Sequence, residues 1–152
     1  MTSRFAIELR AGYEQVAPIL PPDALERVAR ARDSINAELS ERNRLLAEVV
    51  TAYRAGPPQL WGPVILDLLA PSLVELLAWL RPGPPAFDEE EIRQQLVVEV
   101  LRAAAKIPIR DGFDMKVRLL ARTYKYVVRW LARENMRQRP QSSYEALREL
   151  ER

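Results

Sequence analysis

Proline-rich breaks divide this 152-residue chain into segments of helical length. Proline lacks an amide hydrogen and fixes φ, so it is poorly tolerated inside a helix or a central strand. Between the breaks, apolar residues recur at three- and four-residue spacing, as in helices, and no segment alternates as a half-buried strand does. The pattern predicts an all-α protein, a compact bundle of about four to six helices. The breaks are residues 18–23, 55–59, 81–91, 106–114 and 137–140.

The first long helix is expected to run from Asp23, which can cap it, to Tyr53, with Gly56 ending it. Its apolar residues follow a 3-4 spacing that Arg32 and Arg42 interrupt. Such a stripe indicates either a helix packed on its own domain or the seam of a coiled-coil dimer. The sequence leaves both alternatives open.

The middle of the chain predicts two further helices. Residues 58–80 are apolar almost all round, which is typical of a helix at the centre of a bundle, and Pro71 is expected to kink or split it. A third helix should begin after the acidic run 88–91 and end near Lys106. The acidic run either stabilises the positive end of the helix dipole or holds a divalent cation. Because consecutive residues point in different directions, we favour helix stabilisation and predict no metal site, no cofactor and no enzymatic activity.

The fourth helix, predicted over residues 114–137, concentrates positive charge. Residues 114–139 hold eight Lys or Arg and two acids, a local net charge of +6, which leaves −4 for the remaining chain. Such segregation creates a cationic surface that attracts polyanions. The predicted buried face comprises Val117, Leu120, Ala121, Tyr124, Val127, Val128 and Leu131. Away from that face, Arg118, Arg122, Lys125, Arg129 and Arg133 fall within an arc of roughly 80°, with Tyr126 and Trp130 at its edge.

The clustered bases indicate a binding surface. Solvated helix faces usually mix charge signs, because opposite charges at i,i+4 attract and like charges repel. Nucleic acid is the partner that this pattern favours, since Arg and Lys neutralise phosphates while Tyr and Trp stack on unpaired bases. An acidic protein and plain solvent are the alternatives. After the basic helix, a separate short helix is expected within residues 141–150, capped by Ser142 or Ser143.

The composition excludes several kinds of site. The chain has no Cys and no His, so disulfides, thiolate chemistry, His-based metal sites and His-containing triads are excluded. The longest apolar run, residues 64–80, is interrupted by Asp67, Pro71 and Glu75 and is too short to span a bilayer. The first ten residues contain Glu8 and lack the apolar core of a signal peptide. We therefore expect a cytoplasmic protein that does not bind membranes.

Three stretches in order resemble region 2, the core domain of sigma-70-type RNA polymerase sigma factors, and most closely that of small, extracytoplasmic-function-like members. The stretches are LLAEVVTAYRAGPPQLWGPVILDLLAPSLVELLAWL, DEEEIRQQLVVEVLRAAAKI and FDMKVRLLARTYKYVVRWLARENMRQR. They are similar to the family's opening turn and Ala-Pro-Leu helix, to its acidic-capped helix, and to its basic, aromatic DNA-binding helix. The resemblance covers residues 45–139. It leaves residues 1–44 as an N-terminal helical extension and residues 140–152 as a C-terminal short helix or tail.

The resemblance implies two binding surfaces. Glu91, Gln94 and Gln95 fall where the family's second helix docks on the clamp helices of the largest RNA polymerase subunit. The segment that captures the melted −10 promoter element corresponds to Arg118, Arg122, Lys125, Tyr126, Arg129, Trp130 and Arg133. What the resemblance implies is a sigma-factor-like transcription-initiation protein that binds polymerase core and single-stranded promoter DNA and catalyses no reaction.

The sequence departs from the family pattern at several of these positions. Gln95 replaces the usual Glu, Lys116 stands where an aromatic residue is typical, and Thr123 stands where Asn is typical. No segment resembles region 4, so a separate region-4-like protein is expected to read the −35 element. The alternative is an adaptor or regulator that keeps the fold and acts through protein–protein contacts.

Overall fold

The computed structural model describes residues 3–35, 38–80, 88–110 and 114–150, with side chains only as far as Arg137 in the last range. Over these residues the chain forms seven α-helices, one 3-10 turn and no strand, which confirms the predicted all-α bundle. The elements are α1 (Arg4–Val16), the 3-10 turn (Ala17–Ile19), α2 (Pro22–Ser34), α3 (Leu39–Ala55), α4 (Pro58–Leu68), α5 (Ala70–Leu80), α6 (Glu89–Lys106) and α7 (Met115–Leu150).

Helices α4 and α5 form the centre of the bundle, as their apolar composition predicts. Helix α1 packs on both, α3 packs on α4, and α6 packs on both and on α7. The axes of α4 and α5 differ by 71°, and Leu69 between them is fully buried. The predicted split is therefore confirmed. Pro71 lies in the first turn of α5, where a missing amide hydrogen costs little.

The predicted long helix from Asp23 to Tyr53 is wrong, because two helices, α2 and α3, occupy this range. Residue Glu38, which precedes α3, has an extended backbone. A single helix of this length would extend about 45 Å, beyond the width of a small domain. Folding back lets α2 pack on α3 and buries Val28 and Leu46 in one core. The predicted end is confirmed, since α3 stops at Ala55 before Gly56, which has φ +86°.

The described part of residues 1–44 is helical, as expected, and it belongs to the same core as the rest of the chain. Phe5, Leu9 and Tyr13 of α1 are buried in the hydrophobic cluster that also contains Ile65 and Leu73. The N-terminal helices thus contribute directly to the bundle on which the candidate site is built.

A buried carboxylate joins three helices. Asp67 of α4 accepts hydrogen bonds from Arg10 of α1 at 3.0 Å and from Arg32 of α2 at 2.5 Å. Both guanidinium groups lie over the Tyr13 ring, 4.9 and 4.6 Å from its centroid. Burial by itself would lower the pKa of Arg32, but contact with Tyr13 and the charge of Asp67 together raise it above its ordinary value. Arg32 therefore stays charged throughout the working pH range, and the network fixes α1 and α2 on α4.

Side chains satisfy both ends of α6, which confirms the predicted third helix. The Asp88 carboxylate accepts from the amides of Glu90 and Glu91, so this acid caps the helix. At the other end, the Arg54 guanidinium of α3 donates to the carbonyls of Ala104 and Ile107. The Ala104 carbonyl lies in the last turn of α6 and the Ile107 carbonyl directly follows the helix, so neither has an intrahelical partner. Arg54 thus ties α3 to the end of α6.

Helix α7 continues to Leu150, where we predicted a break near Pro140 and a separate short helix. Proline removes one backbone hydrogen bond, but the backbone can stay helical when water solvates the freed carbonyl. That carbonyl belongs to Met136, whose side chain is exposed. A single helical backbone therefore carries residues 115–150.

Candidate nucleic-acid interface

The start of α7 is held by α3. The Asn43 side-chain oxygen accepts from the backbone N–H of Met115 at 2.6 Å, and Arg42 forms an ion pair with Asp114 at 2.5 Å. Asp114 also accepts from the Val117 amide at 3.2 Å, which caps the helix. Arg42, which interrupts the apolar stripe in the sequence, thus has a specific role: it positions the basic helix.

The predicted buried face of α7 is largely wrong. Val117, Tyr124 and Val128 are exposed, whereas Val127 is buried as expected. The residues that enter the core are Met115, Leu119, Thr123 and Val127, spaced four apart. Apolar residues occur around much of this helix, so their spacing does not define a single buried face. Packing against α6, α3 and α5 decides which side is buried.

The five bases of the predicted arc reach solvent. Arg118, Lys125, Arg129 and Arg133 are exposed and Arg122 is half-buried. Across the part of the chain that the structure describes, Arg122, Lys125, Arg129 and Arg133 form no ion pair with any acid. The five therefore form a continuous cationic surface, which we call the basic arc.

Tyr126 lies beneath two bases of the basic arc. The guanidinium groups of Arg122 and Arg129 lie 5.7 and 5.5 Å from its ring centroid. A cation–π contact stabilises by about 0.5–1 kcal/mol at an exposed site, more than the 0.2–0.5 kcal/mol lost per like-charge pair. Tyr126 thus offsets the repulsion between these arginines inside the chain. Repulsion between the bases is therefore no argument for an external partner. The argument for a partner is the concentration of bases that have no acid beside them in the described residues.

The two aromatic residues predicted to stack on bases, Tyr126 and Trp130, are half-buried and therefore not fully exposed. The ring of Tyr126 contacts the guanidinium groups of Arg122 and Arg129, and Trp130 packs against the hydrophobic core. Aromatic surface is instead exposed at Trp79 of α5 and Tyr124 of α7, which sequence reasoning missed. Glu75 and Ser72 lie on the Trp79 side of an otherwise apolar helix, and this polar pair is the signal that could have revealed an exposed face.

The residues of the predicted polymerase-binding surface lie on α6. Glu91 and Gln94 are exposed on the face opposite the core, together with Val98. Gln95 lies at the edge, where its amide donates to the Glu99 carboxylate at 3.1 Å. Glu99 is buried, its Oε1 also accepts from Arg102 at 2.9 Å, and its Oε2 has no partner. Glu91 and Gln94 are therefore free to meet another surface, while Gln95 holds an internal carboxylate.

Of the two departures on α7, one is at the surface and one is not. Thr123 is fully buried, and its hydroxyl donates to the Leu119 carbonyl one turn earlier at 2.7 Å. A side chain at this position contacts the core and not a ligand. Lys116 is half-buried at the start of the helix.

Over residues 3–35, 38–80, 88–110 and 114–137, no three acidic side chains converge as metal ligands would. No single helix in the described chain is long and apolar enough to cross a bilayer, although α4 and α5 taken together would be, were they not sharply bent.

Comparison with known proteins yields no relative: no family model, no curated protein and no solved structure matches this chain.

Proposed function

We propose that this chain is a sigma-factor-like transcription-initiation protein. In this proposal the basic arc of α7 binds single-stranded promoter DNA at the −10 element, and Glu91 and Gln94 of α6 meet the clamp helices of RNA polymerase core in the cytoplasm. A separate region-4-like protein would supply −35 recognition. The observation that carries the proposal is the basic arc, a cationic surface at which four of the five bases have no acidic partner in the described part of the chain.

Electrostatics supports the nucleic-acid part. A surface that neutralises five phosphates of a single strand gives a slope of about −3.5 in log K against log salt. The variant Lys125→Ala/Arg133→Ala removes two bases that contact no aromatic ring and no acid within the described residues. It should therefore reduce the slope by about 1.4 and leave the fold intact. Arg27→Ala/Arg30→Ala on α2 is the matched control, because it removes two exposed bases far along the chain from the basic arc.

The assay is fluorescence anisotropy with a labelled single-stranded oligonucleotide carrying a −10-like sequence, compared with a random sequence of equal length. We expect the −10-like strand to bind more tightly, and the control variant to match wild type. Equal affinity for both strands would remove the promoter assignment and leave general single-strand binding. A salt slope near zero would exclude nucleic acid and favour the protein–protein adaptor.

The polymerase part is tested by co-elution of the purified chain with RNA polymerase core. Glu91→Lys/Gln94→Ala should abolish co-elution, because it reverses charge on the exposed α6 face. Asp33→Lys makes the same charge reversal at an exposed position of α2 and should co-elute like wild type. Failure of wild type to co-elute would reject the sigma-like assignment whatever the DNA result.

A further inference from the structure

An apolar groove of about 310 Å³ lies between α5 and α7. Each helix contributes residues at positions i, i+3, i+4 and i+7, so the groove follows both helices for about 10 Å, or two helical turns. The residues are Ser72, Glu75, Leu76 and Trp79 of α5 and Val117, Leu120, Ala121 and Tyr124 of α7. We call it the α5–α7 groove.

The lining of this groove is unusually exposed for apolar residues. Trp79 is 72% exposed, Val117 57% and Tyr124 40%, and Val128 continues the same face of α7. Contiguous apolar surface on a soluble domain marks interaction sites, because leaving it in water costs about 25 cal/mol per Å². The groove and its continuation along α7 therefore have the character of an interface.

Charge is distributed unequally on the two sides of the groove. On the α7 side, Lys125 lies about 40° around the helix from Ala121, and Arg129 about 80°. Both are exposed and make no ion pair within the described residues. On the α5 side stands the exposed carboxylate of Glu75. A matching partner carries apolar side chains in the middle, acids towards α7 and no acid towards α5.

The geometry points to an amphipathic, acidic helix of a partner protein as the occupant of the α5–α7 groove. Two turns of groove fit apolar anchors at i, i+3 or i+4 and i+7 of one helix, which is how helices bind in grooves. A nucleic acid fits less well, because Glu75 repels phosphate and no base lies among the residues that line the groove. The inference rests on exposure and charge, and it stands independently of the proposed function.

The test uses the full chain and two displayed pools of randomised helical peptides of about 15 residues, a length at which isolated helices begin to form. Both pools carry apolar residues at i, i+3, i+4 and i+7. One pool has acids beside the apolar stripe, and the matched pool has bases there. Enriched peptides are then synthesised and their affinity is measured by fluorescence anisotropy.

We expect enrichment from the acidic pool only. Ala121→Glu places a carboxylate in the groove and should weaken the enriched peptides at least about tenfold. Trp79→Ala should weaken them as well, and both changes are at exposed positions that tolerate substitution. Val98→Glu is the matched control, because it adds the same charge to an exposed apolar residue of α6. It should leave the affinity within about twofold of wild type.

Several results would overturn the inference. Enrichment from neither pool, or from the basic pool, removes the acidic helix as occupant, as do peptides that bind Ala121→Glu as well as wild type. Self-association that Ala121→Glu abolishes would assign the groove to a second copy. Loss of oligonucleotide binding in Trp79→Ala with peptide binding unchanged would assign it to nucleic acid. Failure of the wild-type chain to co-elute with polymerase affects none of these readouts, because none of them uses polymerase.

Discussion

The buried carboxylate of Asp67 allows a quantitative test of how the N-terminal helices are held. The change Asp67→Asn keeps the side-chain shape and one acceptor oxygen but removes the charge between Arg10 and Arg32. A hydrogen bond to a charged group contributes about 1.5–3 kcal/mol. The two arginine side chains are 46% and 36% exposed, so water recovers part of this energy in the variant. Taking about half of each of the two bonds, we expect a loss of about 1.5–3 kcal/mol.

The assay is urea unfolding followed by far-ultraviolet circular dichroism, with thermal unfolding as a second measurement. The midpoint temperature should fall by about 3–12 °C for a chain of this size. Asp33→Asn is the control, because Asp33 is an exposed acid of α2 without an ion pair in the described structure, and it should stay within about 0.5 kcal/mol of wild type. If Asp67→Asn is equally neutral, the network does not hold α1 and α2 on α4, and the reasoning is refuted.

Three further changes probe the backbone and the helix ends by the same unfolding measurement. Gly56→Ala should cost about 1–2 kcal/mol, since φ +86° strains a residue with a Cβ even though that Cβ would make only ordinary van der Waals contact with Pro58. A neutral result would contradict the positive φ at this position. Gly12→Ala in α1 meets nothing within 4 Å and should stabilise by about 0.5–1 kcal/mol; destabilisation would mean that α1 is misplaced. Arg54→Met should cost about 1–3 kcal/mol, because it leaves the carbonyls of Ala104 and Ile107 without a donor. The control Arg44→Met, at a partly exposed position of α3, should leave the stability unchanged.

Much of the fold follows from local sequence chemistry. Asp88 marks the start of α6, Gly56 the end of α3, and Pro71 the split between α4 and α5, because each residue acts on the backbone within one turn. The turn between α2 and α3 lacks such a residue among those described. Its position depends on how much apolar surface the folded-back pair buries, a tertiary quantity that periodicity does not contain.

The candidate site shows the same division. The solvent exposure of the basic arc follows from the sequence, because charged side chains are excluded from the core whichever way α7 turns. The exposure of the aromatic and apolar residues does not follow from the sequence, since Val117 and Tyr124 have no intrinsic preference between core and surface strong enough to orient the helix. Their direction comes from Asn43 and Arg42, which fix the start of α7 from a point far away in the sequence.

The orientation of α7 places the basic arc next to the α5–α7 groove, and Lys125 and Arg129 are the bases of the arc that border the groove. A single strand that pairs its phosphates with these bases and a helix that pairs its carboxylates with them need the same charges. We therefore expect competition: with an enriched acidic peptide at ten times its Kd, the apparent Kd for the oligonucleotide should rise about tenfold. The Trp79→Ala variant should reduce the competition while it keeps oligonucleotide binding, because Trp79 lies on α5 and the change leaves the charge of the basic arc unaltered. A ternary complex with unchanged affinities would show that the two surfaces are independent, and one of the two partners would then lie elsewhere on the chain.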